Sequence, residues 1–178
     1  MSKRLGPIHY IMFGKILFTR NLSKYIADAC GIAYTSSVQG DQLEDVIDES
    51  NIHMSLQSMV QAVQKEHAQV MEQAQDQIET VENAIRAYGK QHPLQGVSFQ
   101  EIMQKFEQLF LYGMPCDRIL SVEEMNDNFI SISVKEDQQA KYFSNPEMWS
   151  WEQTILVNEM LDGYSFARTD SGFTIRGE

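Results

Sequence analysis

Between Asn51 and Tyr88 the apolar residues Leu56, Val60, Val63, Val70, Ala74, Ile78, Val81, Ile85 and Tyr88 recur at steps of three and four. His67 fills the step between Val63 and Val70, and neither glycine nor proline interrupts the stretch. Such spacing places one apolar stripe along a helix, with glutamine, glutamate and lysine on the other faces. At ~1.5 Å rise per residue, a single helix over this stretch spans roughly 57 Å, and one begun at Asp41 roughly 72 Å. A domain of this size has a radius of gyration of about 16 Å. A helix that long projects from its own domain, which predicts a homodimer formed through it. The steps 70, 74 and 78 are two fours in succession, a stutter that unwinds a left-handed supercoil and favours a bundle over a regular coiled coil.

The remaining segments divide by their punctuation. Gly6-Pro7 opens a helix whose apolar side is Ile8, Ile11, Met12, Ile16, Leu22, Ile26 and Ala29, and which Gly31 ends. Asp41 and Glu44 form a capping-box pattern for a further helix. Gly89 closes the long helix. Ser98 and Glu101 cap another, carrying Phe99, Ile102, Met103, Phe106, Leu109 and Phe110 up to Gly113 and Pro115. Strand patterns follow at 118–122 and 129–134, where Ile130, Ile132 and Val134 alternate with serines. Asn145-Pro146 begins a last helix through Leu161, and 164–168 with 173–176 read as a second hairpin.

Helix, glycine stop, hairpin thus occurs twice, with Leu-x-Gly before each pair of strands. Common use of capped helices before hairpins accounts for this as well as duplication does. The expected fold is α+β: an N-terminal helical bundle built on one very long helix, then two helix-plus-hairpin units forming a small antiparallel sheet. The expected organisation is one composite domain, 1–178, with a helical part to residue 89 and an α+β part from residue 90.

Charge narrows the partners. Fourteen Lys and Arg against 25 Asp and Glu give a net charge of −11. Binding to phosphate backbones or anionic lipid surfaces depends on cationic side chains, so nucleic acid and membrane surfaces are disfavoured. The basic residues Lys3, Arg4, Lys15, Arg20 and Lys24 precede Asp28, and Asp41, Glu44, Asp45, Asp48 and Glu49 crowd the next segment. The two blocks are expected to face each other. Residues 1–18 superficially resemble a secretion signal, but Lys15 breaks the apolar run. No stretch reaches the ~20 apolar residues of a membrane span. Two cysteines, Cys30 and Cys116, without metal-motif spacing suit a reducing cytoplasm.

Chemistry has few carriers. Glu49, His53 and His67 extend the apolar seam; if the helix runs through Ser50, Glu49 and His53 are four apart and adjacent, a carboxylate and imidazole pair suited to a divalent transition metal such as Zn, Fe, Mn or Ni. His67 lies roughly 21 Å farther along the same helix, so other elements or a second subunit must complete a site. The plainer reading makes His53 and His67 buried histidines bonded to a carboxylate or backbone group. Gln64 stands where a Glu-x-x-His motif needs its glutamate, so the di-iron pattern is absent.

His9, in the first turn of its helix, reads as a neutral packing or capping group. Cys116 follows a helix C-terminus and precedes Asp117, both of which oppose a thiolate. No P-loop, Gly-x-Gly-x-x-Gly, Gly-x-Ser-x-Gly or His-Glu-x-x-His occurs. Ten methionines and the Trp149/Trp151 pair suit an apolar ligand pocket as well as an ordinary core. The leading expectation is a noncatalytic dimer that binds a metal or small ligand through Glu49, His53 and His67. A ligand-free scaffold and an enzyme of unspecified reaction are the alternatives.

Overall fold

The structure is a computed structural model that describes residues 4–178; Lys3 of the basic block lies outside them. Its first helix, α1 (Pro7–Cys30), organises the N-terminal half. His9 closes its first turn: His9 Nδ1 accepts from the Gly6 amide at 2.8 Å, which supports the neutral capping role expected of it. Gly31 ends α1 at φ 67°, a left-handed conformation that glycine adopts without steric cost.

The chain then runs back along α1, held by its basic residues. Arg20 donates to the carbonyls of Val38 and Gly40, each at 3.0 Å, and meets Asp41 at 2.6 Å. Tyr10 donates to Glu44 at 2.5 Å, and Arg4 to the Glu49 carbonyl at 3.3 Å. The acidic and basic blocks do face each other. The expected Asp41/Glu44 capping box is absent for that reason: both carboxylates are taken by α1, and the short α2 (Leu43–Val46) starts at Gln42 without a side-chain cap.

The stretch 51–88 is two helices, not one. Helix α3 (Ile52–Gln73) begins at Asn51, whose side chain accepts from the Met54 amide, and α4 spans Ile78–Gln91. The break falls on the stutter. Two steps of four carry the stripe off the helix face, and a turn at 74–77 resets it, keeping Ala74 and Val81 buried while Ile78 is turned outward, 57% exposed. Gln77 Nε2 anchors the turn by donating to the Cys30 carbonyl at 3.1 Å. Helix α3 therefore runs alongside α1 in the same direction, and α4 returns along it, with Tyr88 donating to the Phe18 carbonyl at 3.1 Å. The projecting helix, and with it the reason for expecting a homodimer, disappears. Gly89 does not end α4; it lies within it, where a Cβ would stand 2.8 Å from Glu159 Cβ and 3.1 Å from the Leu156 carbonyl oxygen, so its bareness lets the last helix approach.

That last helix, α7 (Pro146–Met160), is capped by Asn145 and packs along α4. Between α4 and α7, α5 (Phe99–Leu109) starts at Ser98, whose hydroxyl accepts from the Glu101 amide at 3.2 Å. Phe110 leaves the helix as extended chain, so α5 stops short of Gly113, which instead takes φ 76° in the turn that follows. Strands β1 (Leu120–Asn126) and β2 (Phe129–Val134) form the first hairpin, β3 (Tyr164–Arg168) and β4 (Gly172–Gly177) the second. A short helix, α6 (Glu136–Gln139), which no sequence signal announces, follows β2.

The hairpins join through β2 and β4 into an antiparallel sheet of order β1-β2-β4-β3. Gly172 permits that joint, since a Cβ there would meet the Ile132 carbonyl oxygen at 1.9 Å. Ile130, Ile132, Phe166, Phe173 and Ile175 turn one face of the sheet inward, and Phe106 and Tyr112 pack on Phe173. One continuous apolar core runs from Leu5 through Ile175. The architecture is α+β, with the helical layer and the sheet sharing that core. Among the described residues, no helix is long and apolar enough to cross a membrane.

Candidate functional site

A groove separates α3 from α7, and its floor is polar. His67, buried on α3, places Nε2 2.6 Å from Glu152 Oε1 on α7, and its Nδ1 lies 2.7 Å from Ser23 Oγ on α1. Three elements thus meet at one imidazole, and all three side chains are buried. Burial alone would push the His67 pKa down, but the charge of Glu152 and its hydrogen bond outweigh that, and the ring is held above its ordinary value. Ser23 Oγ also lies 3.0 Å from the Thr19 carbonyl. Its single proton has two destinations. Directed to Thr19, it leaves Oγ to accept from His67 Nδ1–H, giving an imidazolium that donates to both partners. Directed to Nδ1, it leaves a neutral ring donating to Glu152 alone.

Serine, histidine and glutamate in a chain resemble a nucleophile relay, but the geometry opposes one. Ser23 is fully buried in the middle of a regular helix and does not line the groove. His67 and Glu152 do. They border a cavity of about 60 Å³, with Gln64, Phe143, Met148 and Trp149 among its walls. One water needs roughly 10–15 Å³ by such a measure, so the space admits several waters or a small polar group. It adjoins a wider groove of about 890 Å³ that shares Gln64, Ala68, Tyr142, Ser144, Asn145 and Met148 with it. Phe143 and Trp149 lie against each other with ring centroids 4.6 Å apart, and Tyr112 meets Trp149 edge-on at 5.3 Å. Gln153 donates to the Tyr112 hydroxyl behind them.

Two side chains at this floor carry unused hydrogen-bonding atoms. Glu152 engages a partner only through Oε1 among the described residues. Gln64 is 6% exposed, and neither its Oε1 nor its Nε2 has a partner among the described residues. An orphaned buried polar group costs about 1–3 kcal/mol, so an unpartnered amide on a residue that lines a cavity marks a place where something else supplies the bonds.

The residues expected to bind metal are not brought together. Glu49 lies in the turn before α3, outside the helix, so it is not one turn from His53 on a common face. Glu49 and His53 are exposed, whereas His67 is buried three to four turns farther on and committed to Ser23 and Glu152. Among the described residues, no group of three or more His, Cys, Asp or Glu side chains could hold a metal ion. Both cysteines are free thiols: Cys116 is exposed in a 3-10 turn, and burial pushes the Cys30 thiol up, away from reactivity.

Sequence reasoning found His67 and missed its partners. Glu152 sits three or four residues from Met148, Trp149, Ile155 and Leu156, and Gln64 sits among Val60, Val63 and His67. A polar residue inside an apolar stripe was the available signal in both cases. No family model matches the chain, and no characterised protein or solved structure shows significant similarity to it.

Proposed function

We propose that the protein binds a small organic ligand in the groove between α3 and α7, with an apolar or aromatic body on Phe143, Met148 and Trp149 and a polar group on the His67–Glu152 floor. The observation that carries this is the placement of the buried His67–Glu152 pair at the bottom of a groove, with Glu152 Oε2 unpartnered among the described residues, rather than sealed inside the core. Ligand sites have this composition: mostly apolar walls and a few convergent polar groups. The role is binding rather than nucleophilic catalysis by Ser23, whose hydroxyl is buried away from the groove. The free thiols fit a reducing cytoplasm.

The probe is 4-fluorophenol, whose hydroxyl can donate to Glu152 and whose ring matches the aromatic wall. Its 19F resonance should shift and broaden saturably with the wild-type protein. Ala68→Trp, which fills the groove at a position lining both its narrow and wide parts, should abolish the effect. An unshifted resonance with the folded wild-type protein, or one equally shifted by folded Ala68→Trp, overturns the reading.

A further inference from the structure

Building on the proposed groove, we infer that its ligand carries a planar, neutral amide edge, of the carboxamide, lactam or ureide type, and that the orphaned amide of Gln64 is the group that reads it. Gln64 lines both parts of the groove and carries a donor and an acceptor side by side, both covered and both without partners among the described residues, so the ligand engages them as the side chain turns into the groove. The complement of such an edge is another edge with an adjacent acceptor and donor, which closes two parallel hydrogen bonds. A ketone, ester or ether satisfies Nε2 and leaves Oε1 unmet; an alcohol meets one of the two at a time.

Charge and size agree with this head group. Among the described residues lining the narrow cavity, the only ionic groups are His67 and Glu152, which pair at 2.6 Å. A charged head would be buried with no counter-ion of its own, which is disfavoured. The narrow cavity of about 60 Å³ takes a head of a few atoms, and the adjoining groove of about 890 Å³ takes the body, with Gln64 lining both. A primary amide has a second N–H, and Glu152 Oε2 is the free acceptor bordering the same cavity.

The test compares benzamide with acetophenone, which keeps the ring and carbonyl but lacks the N–H. Each is titrated as a competitor of 4-fluorophenol in the 19F assay. Benzamide should displace the probe about tenfold more effectively, the contribution of one to two added hydrogen bonds. Gln64→Met, which keeps the side-chain length and removes both amide atoms, should erase that preference, so that benzamide and acetophenone displace the probe within about twofold of each other. The same variant should raise the melting temperature, because it removes two unsatisfied buried groups.

Equal displacement by the two competitors in the wild-type protein overturns the amide assignment and leaves the groove reading standing, since the probe itself still binds. A preference that persists in Gln64→Met removes Gln64 as the reader. The wild-type comparison needs no variant to fold.

Discussion

His53 and His67 occupy equivalent places in one repeat of threes and fours on α3, and their surroundings are opposite. His53 lies in the first turn of the helix, beyond the reach of α7, and is exposed. His67 lies where α1 and α7 both come over the same face, and is buried between Ser23 and Glu152. The same contrast recurs on α4, where Ile78 is 57% exposed and Ile85 fully buried. A stripe position becomes a core position only where another element covers it. Where that element brings a carboxylate, a histidine becomes half of an ion pair.

The largest expected effect tests this contrast directly. Glu152→Ala leaves His67 buried without its partner and should cost about 3–5 kcal/mol in urea unfolding. His53→Ala, at an uncovered position, should stay within about 0.5 kcal/mol. Equal costs would mean that coverage by α7 does not distinguish the two histidines. On α4, Ile85→Ala should cost roughly 2–5 kcal/mol by opening a cavity, against about 0.5 kcal/mol or less for Ile78→Ala. A costly Ile78→Ala would instead indicate that 74–77 is helical and that Ile78 is covered, restoring the single long helix. In that case a dimer mass in solution, twice the 20.5 kDa of the chain, would be expected.

A smaller effect follows from pH. The His67 pKa is raised in the folded state, so the folded protein holds a proton that the unfolded chain releases near its ordinary value of about 6.5. The stabilisation by the charged pair is therefore complete below that pH and declines as pH rises through the higher folded-state value. Melting temperature scanned upward from pH 6 should fall in the wild type, and the decline should flatten in Glu152→Gln, where the carboxamide no longer holds the imidazolium. Parallel profiles would place the titration elsewhere.

Periodicity and punctuation were enough to locate α1, α5, α7 and both hairpins, because burying one face of an element imposes its period on the residues themselves. The helix at 146–160 was legible from Asn145-Pro146, and β2 from the alternation of Ile130, Ile132 and Val134. The turn at 74–77 was present only as the stutter, since no glycine or proline marks it and Ala74, Gln75 and Gln77 are acceptable helix residues. Glu152 could have been singled out as the polar residue in an apolar stripe, but not matched to His67, 85 residues away along the chain.

Sequence by itself determined the α+β class, most caps, and the fact that His67 would need a polar partner if buried. Tertiary structure decided that the long stretch folds back beside α1, that Ser23 and Glu152 reach His67 while Glu49 and His53 stay apart from it, and that Gln64 lines a groove with its amide unpaired among the described residues. The reason is physical: propensity, capping and periodicity act over a few residues, whereas a site is made by contacts between distant segments, set by how whole helices pack.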